Sequence, residues 1–372
     1  MSTEYYLIGA GLFNAVLANL LAKSGKSVFM FESRDHVGGN CYDEIDETTG
    51  IRYHKYGPHI IHLQNNKWFS FLNEFGTLEP FHHNVKSAYR GRLYTIPINL
   101  ETINDFYGVN LHPYEVKEFL KSKVLNIDNP QNMEEKLLSL IGKDLYEAFF
   151  RSYTIKQWEK DPTNLPESTI QRIPVRLNFN SSYYTKKFSY IPKEGFTNLI
   201  CNLLNHRNIS VSLNTNIGLK EIENFARRGT VIYSGEVDRL FGYRFGELEY
   251  RSLYFVKEYK DVSDYQGISV VNYPELNVKW TRICEPVHFP HTENEYKERN
   301  KTLLIKEFSC RRTGNMEAYY PISNTENLNL YNLYVEEAKK IRNLRLAGRL
   351  GMYKYTDMEN TIENAFRMFE NV

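Results

Sequence analysis

The chain carries near its start the glycine-rich segment Gly9-Ala10-Gly11-Leu12-Phe13-Asn14, which lies between two apolar stretches of different character. Residues 5–8 before it are all apolar or aromatic and predict a short buried strand. Residues 12–22 repeat apolar side chains at helical spacing and predict a helix, and residues 28–31 predict a second strand that ends at Glu32. This order of strand, turn, helix, strand and acid is typical of a dinucleotide-binding unit.

Individual positions in this unit have defined roles in binding a dinucleotide. Gly9 allows the tight turn, Gly11 lets the backbone approach a pyrophosphate at the helix N-terminus, and Glu32 can accept hydrogen bonds from a ribose 2′-hydroxyl. The third glycine of the pattern is replaced by Asn14, so we expect the helix and the strand to pack slightly further apart there. The alternative interpretation is an ordinary βαβ unit with a tight turn.

A second glycine pair, Gly38-Gly39, follows the ribose-binding acid and indicates which dinucleotide is bound. A chain that passes close to cofactor phosphates favours residues without a side chain. NAD enzymes do not need this second pair, whereas FAD enzymes of the glutathione-reductase type commonly have it. The pair therefore favours FAD over NAD.

The charge and hydrophobicity of the chain exclude several classes of partner. The 372 residues are enough for two or three domains, and the net charge of +1 gives no field that attracts nucleic acid or an anionic membrane. The first six residues contain no Lys or Arg, and the longest apolar run, residues 7–22, is interrupted by Asn14 and Asn19. That run is better explained by the dinucleotide unit than by a membrane span. We expect a soluble cytoplasmic protein with no nucleic-acid or membrane partner.

The cysteines and histidines do not form a metal-binding pattern. The histidine-rich segment at 54–62 has no Asp, Glu or Cys at ligand spacing, so we expect no metal site. The four cysteines are scattered without a CxxC pair and fit reduced thiols: Cys41, Cys201, Cys284 and Cys310.

The middle of the chain predicts a helical insertion and an antiparallel sheet. Residues 88–97 predict a hairpin. Residues 100 to about 157 are helical in pattern, with a break at Gly142. Residues 176–192 and 250–310 alternate like the strands of an antiparallel sheet.

Short strands and a final helix return the chain to the nucleotide domain. Residues 209–213 and 231–234 predict strands, and residues 344–349 precede a predicted helix at 358–369 that Asp357 can cap. We expect an α/β fold in which an FAD-binding Rossmann-like domain carries an inserted helical bundle and an antiparallel β-sheet domain. The predicted boundaries are 1–80, 200–240 and 337–372 for the FAD-binding domain, 100–165 for the helical domain, and 81–99, 166–199 and 241–336 for the sheet domain.

In this order and spacing, several stretches resemble the UDP-galactopyranose mutase family, and the resemblance spans nearly the whole chain. The family implies an FAD-binding domain, a helical bundle and an antiparallel sheet, with the substrate cleft between them. The matching stretches are GAGLF at 9–13, GGN at 38–40, HKYGPHIIH at 54–62, YTIKQW at 153–158, RIPVR at 172–176, TRICE at 281–285, YYP at 319–321 and GRLGMYKYTDM at 348–358.

The resemblance implies an isomerase that interconverts UDP-galactopyranose and UDP-galactofuranose for cell-surface glycan synthesis. It implies that N5 of reduced flavin attacks C1 of the sugar and expels the diphosphate. The flavin-bound sugar then opens, closes through a different hydroxyl and is recaptured by the diphosphate, without net redox change. It also implies FAD as the cofactor, NAD(P)H as its reductant, and a homodimer.

The family's site residues fall on defined positions of this chain. The implied catalytic residues are Arg172, Arg282, Tyr355 and His59. The implied substrate-binding residues are His83, Phe149, Tyr153, Thr154, Trp158, Tyr183, Tyr184, Asn272, Tyr320 and Asp357. The implied cofactor-binding residues are Gly9, Gly11, Leu12, Phe13, Glu32, Ser33, Gly39, Asn40, His59, Ile60, Arg349 and Met358.

Two of these assignments also have support from the residue types. Arg172 and Arg282 suit a diphosphate, because a guanidinium binds phosphate oxygens in pairs and stays protonated. The set from Phe149 to Trp158 lies roughly on one helical face, although a stripe of core residues would have the same spacing. Residues 161–174 are polar and interrupted by prolines, and we expect them to form a lid that carries Arg172.

The chain departs from the family pattern near the expected substrate. The departures include Pro58, the segment NSSYY at 180–184 and the segment YIPKEGF at 190–196. UDP-galactose is the default substrate, and UDP-N-acetylgalactosamine or deoxythymidine-diphosphate fucose is the alternative. Two other classes stay open: a redox flavoenzyme such as an amine oxidase, and a non-catalytic sugar-nucleotide binder with a decayed flavin site, which Asn14 alone favours.

Overall fold

The computed structural model describes residues 4–170, 174–291 and 300–372. In chain order its strands are β1 (Glu4–Ile8), β2 (Ser27–Phe31), β3 (Asp43–Ile45), β4 (Arg52–His54), β5 (Ile61–Leu63), β6 (Leu78–Pro80), β7 (Val85–Tyr89), β8 (Arg92–Ile96), β9 (Phe188–Pro192), β10 (Ile209–Ser212), β11 (Gly229–Tyr233), β12 (Tyr250–Lys260), β13 (Val270–Asn272), β14 (Arg282–Cys284), β15 (Thr302–Arg311), β16 (Tyr320–Pro321) and β17 (Leu344–Leu346).

The helices occupy the segments between these strands. They are α1 (Leu12–Lys23), α2 (Asn66–Asn73), α3 (Leu100–Tyr107), α4 (Pro113–Lys121), α5 (Met133–Tyr146), α6 (Ser152–Trp158), α7 (Phe196–Leu204), α8 (Leu219–Arg228), α9 (Val237–Leu240), α10 (Thr325–Lys339), α11 (Gly348–Gly351) and α12 (Met358–Glu370). A π-helical turn covers Glu147–Arg151, and 3₁₀ turns cover Gly39–Cys41, Pro162–Asn164, Glu167–Ile170 and Pro286–His288.

A five-stranded parallel sheet, ordered β10-β2-β1-β11-β17, carries the dinucleotide turn. β1 pairs with β2 and β11 over its full length and therefore lies at the centre of the sheet. α1 connects β1 to β2 and packs against α7 and α12. The strands predicted at 209–213 and 231–234 are confirmed as β10 and β11, which both join this sheet.

Asn14 occupies the position of the third glycine with its side chain fully buried. Its Nδ2 donates hydrogen bonds to the carbonyls of Ile8 (3.1 Å) and Gly9 (2.8 Å), and to Ser234 Oγ (3.1 Å). The asparagine therefore ties the end of β1 to the start of α1 and to the residue after β11. The replacement keeps the turn closed by adding hydrogen bonds that a glycine cannot make.

A seven-stranded sheet, ordered β16-β12-β15-β14-β13-β7-β8, forms the second layer, and only its β13–β7 pair is parallel within the described part of the chain. The hairpin predicted at 88–97 is confirmed as β7 and β8. The strands predicted within 250–310 are confirmed where β12 to β15 lie. A small antiparallel sheet, β5-β9-β6, packs beside these layers.

The strand prediction for residues 176–192 is wrong over most of its length, because only β9 is a strand there. The Arg176 side chain donates hydrogen bonds to the carbonyl of Ser182 and to the carbonyl of Tyr184, the latter at 2.9 Å. These contacts fold the segment back on itself, so its alternating side chains belong to a loop.

The helical prediction for residues 100 to about 157 is confirmed by α3 to α6. Gly142 breaks α5 as expected, with φ of +76°, and a Cβ there would collide with the carbonyl of Lys123. The single face expected from Phe149 to Trp158 is interrupted, because the π-helical turn precedes α6. Asp357 caps α12 as predicted, since its Oδ1 accepts from Asn360 N at 2.8 Å.

Candidate active site

The two glycine segments lie against each other at the carboxyl end of the parallel sheet. Gly11 and Gly38 form a β-bridge, and Gly38 N donates to the Ala10 carbonyl at 2.8 Å. A Cβ on Gly39 would lie 3.1 Å from Gly11 Cα. The N-terminus of α1 opens beside this contact, and its N–H groups and dipole favour an anionic group such as a phosphate.

Glu32 holds the turn from the end of β2. Its Oε2 accepts from Ala10 N at 2.7 Å and its Oε1 accepts from Arg34 N at 2.9 Å. The side chain is 6% exposed, so these two bonds fix its direction. A carboxylate has about four acceptor positions, so capacity remains for a ribose hydroxyl.

A cavity with an empty volume of about 1430 Å³ opens in front of these segments. Ile60 lies next to His59 but does not line this cavity. The implied cofactor residues that do line it are Gly9, Gly11, Leu12, Phe13, Glu32, Ser33, Gly39, Asn40, His59, Arg349 and Met358. The cofactor-binding roles implied for all of these residues stay predictions.

Arg34 is a cavity residue that the sequence analysis missed, although its position two residues after Glu32 could have indicated it. Its Nη2 donates to Asn40 Oδ1 at 3.1 Å and pairs with Glu317 at 2.5 Å. The guanidinium lies 4.5 Å from the Tyr56 ring centroid. Nη1 is buried without a partner in the described part of the chain, and Arg34 lines the cavity, so this donor fits an acceptor on a bound nucleotide.

Arg349 and His59 also line this cavity. Arg349 Nη2 donates to the Ala318 carbonyl at 3.3 Å, while Nη1 is buried and has no partner among the described residues. Burial lowers the pKa of His59 to about 4, and its Nδ1 lies 2.7 Å from the Gly57 carbonyl. A neutral histidine beside an unsatisfied guanidinium fits the reactive edge of a flavin, whose reduced form can carry negative charge.

Arg282 lies on the first residue of β14 and is held by Glu307 of β15. Glu307 Oε2 accepts from Arg282 Nε at 2.8 Å and from Nη2 at 2.6 Å. The carboxylate is almost fully buried, and Thr281 Oγ donates to its other oxygen at 3.2 Å. Burial opposes the charge of Arg282, and Glu307 outweighs burial, so the pKa of Arg282 is raised. Glu307 was missed by the sequence analysis because it is remote in the chain.

The implied phenols form a cluster around Arg282. The ring centroids of Tyr320 and Tyr355 are 6.0 Å apart, and those of Tyr320 and Trp158 are 6.3 Å apart. Burial raises the pKa of Tyr153, and the nearby charge of Arg282 partly opposes this. The structure therefore brings together three of the implied substrate residues, Tyr153, Trp158 and Tyr320, and two of the implied catalytic residues, Arg282 and Tyr355.

Phe149 and Thr154 lie outside that cluster. Phe149 is 4% exposed, and its ring packs 5.2 Å from Tyr94 and 5.6 Å from Phe106. Thr154 is 3% exposed, and its hydroxyl lies 3.9 Å from Met133 Sδ. Their surroundings match the alternative in which this stripe is core.

His83, Tyr183 and Tyr184 border a second cavity of about 760 Å³. His83 is 8% exposed, its Nδ1 has no partner in the described segments, and its ring lies 5.3 Å from that of Tyr183. Burial lowers the pKa of His83 to about 3. Asn272 is on β13 directly opposite Arg282.

Asp357 links this region to the last helix. Besides capping α12, its Oδ2 accepts from Lys186 Nζ at 2.7 Å. Lys186 also pairs with Glu359 at 2.8 Å. Arg172 lies outside the described residues, as does part of the predicted lid; the described part of that lid contains two 3₁₀ turns.

Within the described ranges, one group could hold a metal ion: Asp264, Glu285 and His288. Its hydrogen bonds explain this cluster without an ion, because Glu285 accepts from Tyr265 N at 2.9 Å and from Gln266 N at 2.8 Å. Across the helices that the structure describes, none combines the length and apolar character that a membrane crossing requires.

Fold and cavity define a dinucleotide-binding α/β protein in which Arg282 lies among aromatic side chains. A model of an NAD(P)-binding Rossmann-like domain matches residues 7–75, and the model of UDP-galactopyranose mutase matches residues 148–355. The chain belongs to the UDP-galactopyranose mutase family.

Relatives in this family differ in the sugar that their names give. The chain is 39% identical over 363 residues to dTDP-fucopyranose mutase of Escherichia coli, covering 96% of this chain and 95% of the relative. It is 38% identical over 362 residues to probable UDP-galactopyranose mutase of Klebsiella pneumoniae, covering 97% and 92%. Its fold is similar to a crystal structure of reduced UDP-galactopyranose mutase, with a TM-score of 0.76 at 14% identity and coverage of 100% and 95%.

Proposed function

We propose that this protein binds FAD without a covalent bond and interconverts UDP-galactopyranose and UDP-galactofuranose. The observation that carries the proposal is that residues 57–59 reach both expected sites. His59 lines the cofactor cavity, and its neighbours Gly57 and Pro58 line a small cavity together with Arg282 and Glu307. This adjacency supports one reaction centre shared by the expected cofactor site and the expected diphosphate site.

The residues of this centre fit a reaction in which a diphosphate leaves the anomeric carbon and returns. Bound reduced flavin supplies the nucleophile, its N5, for that carbon. Arg282 offers a charged fork to the phosphate oxygens, and Tyr320 and Tyr355 add hydroxyl donors beside it. The neutral His59 adds no second positive charge at the flavin edge. The partial burial of Arg282 strengthens its electrostatic contacts relative to water.

The substrate is proposed as UDP-galactose, and dTDP-fucose is the second candidate. The second candidate has a specific observation in its favour, since one of the most similar relatives bears the name dTDP-fucopyranose mutase. The two sugars differ by a hydroxyl, and a site that hydrogen-bonds this group discriminates far more strongly than an apolar pocket does. From the resemblance we also propose NAD(P)H as the reductant, a homodimer, a cytoplasmic location and a role in cell-surface glycan synthesis.

The experiment is a direct assay of the reduced protein. The purified flavoprotein is reduced with dithionite and incubated separately with UDP-galactose, dTDP-fucose and UDP-N-acetylgalactosamine, and the products are separated by chromatography. We expect a furanose form from UDP-galactose. A furanose from dTDP-fucose alone would correct the substrate and keep the chemistry, whereas no furanose from any of the three would refute the mutase proposal. Oxygen consumption on adding amines would support the oxidase alternative.

A further inference from the structure

Lys156 lies on α6, and its ammonium group is surrounded by main-chain carbonyls of the loop between β13 and β14. Nζ donates to the carbonyl oxygens of Glu275 (3.1 Å), Val278 (3.0 Å) and Trp280 (3.0 Å), and also to that of Tyr273. In the described ranges, burial lowers the pKa of Lys156 and the charge of the Glu275 carboxylate opposes this. This carboxylate lies too far from Nζ to form an ion pair. We call this arrangement the Lys156 carbonyl cage.

In the described chain, the loop receives more hydrogen bonds from Lys156 than its main chain makes to itself. Residues 273–281 contain no helix or strand. Within the described chain, the main-chain bonds that the loop makes to itself are few: Tyr273 N to the Thr281 carbonyl at 2.9 Å and Val278 N to the Glu275 carbonyl at 3.2 Å. Carbonyl dipoles that converge on one point repel each other unless a cation lies between them. An ammonium offers three donors and no acceptor, so it can bind several carbonyls together, and such charge-assisted bonds exceed neutral ones in strength.

The carbonyl cage joins two walls of the proposed substrate pocket. The loop runs from Asn272, the last residue of β13, to Arg282, the first residue of β14, and these two residues pair across the hairpin. Tyr153 precedes Lys156 by about one helical turn on α6, and the charge of Arg282 acts on its pKa. The loop that Lys156 binds thus connects α6 to the strand ends that carry Asn272 and Arg282.

α6 has a second attachment that does not involve Lys156. Arg251 Nε donates to the Gln157 carbonyl at 2.9 Å, and Ser309 Oγ donates to the same carbonyl at 2.7 Å. The helix is therefore fixed to β12 and β15 independently of the carbonyl cage. Loss of the Lys156 charge should change the loop more than the helix.

We propose that Lys156 is a positioning residue for the diphosphate site, which holds the β13–β14 loop, and with it Asn272 and Arg282, at a fixed distance from α6. The proposal rests on the proposed function, because it assigns Lys156 to the substrate pocket of the mutase. Lys156 acts through Arg282 and does not itself touch the sugar nucleotide. Burial also lowers the pKa of Lys156 to about 8, which leaves the ammonium charged at neutral pH.

The test uses the full-length flavoprotein with Lys156→Met, which keeps the length of the side chain and removes its charge and donors. The matched control is Lys279→Met, since Lys279 is an exposed lysine of the same loop. Calorimetry gives the Kd of UDP and of dTDP, steady-state assays of the reduced enzyme give kcat and KM, and hydrogen–deuterium exchange reports on residues 273–281. For Lys156→Met we expect a Kd about tenfold weaker, a kcat/KM lower by roughly ten- to a hundredfold, and faster exchange in the loop. Flavin content should equal that of the parent, and the control should match the parent throughout.

A purely structural lysine would give a different result. It would lower yield and melting temperature but leave Kd and kcat/KM per bound flavin within twofold of the parent, and that outcome overturns the proposal. If Lys156→Met yields no flavoprotein, the same measurements of Kd, kcat/KM and loop exchange are made on Lys156→Arg. Its planar guanidinium keeps the charge but cannot face all the carbonyls, so we expect a smaller loss in the same direction, and parent-like affinity overturns the proposal.

Failure of the proposed function gives a separate signature. In that case the parent enzyme itself forms no furanose, while loop exchange and nucleotide affinity still show whether Lys156 positions the pocket. If the parent binds neither UDP nor dTDP, both proposals fall together.

Discussion

The cavity at the glycine segments and the proposed substrate cleft around Arg282 differ in which parts of the chain form them. The cavity is shaped by backbone: the N-terminus of α1, a bridge between Gly11 and Gly38, and a tight contact at Gly39 that leaves little room for a side chain. The cleft is shaped by side chains from remote segments, such as the Arg282–Glu307 ion pair and the tyrosines around it. A backbone site is specified by local sequence, whereas a side-chain site depends on the whole fold.

We predict that the cofactor cavity and the proposed substrate cleft are both needed for one reaction. The test with the largest expected effect is a change in the redox state of the flavin. We expect turnover of UDP-galactose by the reduced protein and none by the oxidised protein, because the proposed nucleophile exists only in the reduced form. The measurement is furanose formation under strict exclusion of oxygen, with dithionite added to one half of each sample and no reductant to the other half. Full turnover by the oxidised half would contradict the proposed chemistry.

Arg282→Ala should damage the cleft and spare the cavity. A lost donor to developing negative charge typically costs 10²–10³ in rate, so we expect turnover to fall by roughly a hundredfold or more while flavin content is retained. Arg172→Ala should behave in the same way if residues 161–174 act as the predicted lid.

Removal of Arg282 also leaves Glu307 buried without its partner, which can destabilise the protein by about 3–5 kcal/mol. Arg282→Ala combined with Glu307→Gln separates this effect, because it removes both charges. We expect the double variant to recover melting temperature but not turnover. Near-parent turnover in either variant would show that the ion pair is only structural.

Gly39→Ala should damage the cavity and spare the cleft. The added Cβ would lie 3.1 Å from Gly11 Cα at a φ of +58°, so the two glycine segments must move apart by a few tenths of an ångström. We expect FAD to bind about tenfold more weakly, since a strained residue costs of order 1–3 kcal/mol. Gly314→Ala is the matched control, because Gly314 has a φ of +56° and open space around it. The control should bind FAD like the parent, and parent-like affinity in Gly39→Ala as well would show that the contact with Gly11 does not shape the site.

The same comparison explains how far the sequence could predict the structure. The dinucleotide turn and its strands were predicted correctly because spacing and glycine positions are local signals. Residues 176–184 were predicted as strand and form a loop, because the Arg176 side chain binds carbonyls that no local pattern indicates. Glu307 was missed for the same reason, since it reaches Arg282 only through the pairing of β14 with β15.

Acid should destabilise the protein through buried histidines that lie around the cleft and at its border with the cavity. Burial lowers the pKa to about 3 for His54 and His83 and to about 4 for His59 and His62. Nearby cations act in the same direction: Arg52 on His54, Lys186 on His62, and Arg282 on His59 and His83, while Asp357 opposes this at His62.

Because these pKa values are depressed below 6.5, the unfolded chain binds more protons than the folded protein at mildly acidic pH. The contribution of these neutral histidines to the free energy of unfolding is therefore complete above about pH 6.5. It is lost progressively as the pH falls towards 4. We expect the melting temperature to fall by several degrees between pH 7 and pH 5. His83→Gln stays neutral at every pH and should give a shallower fall, so a slope equal to that of the parent would show that His83 is not among the groups responsible.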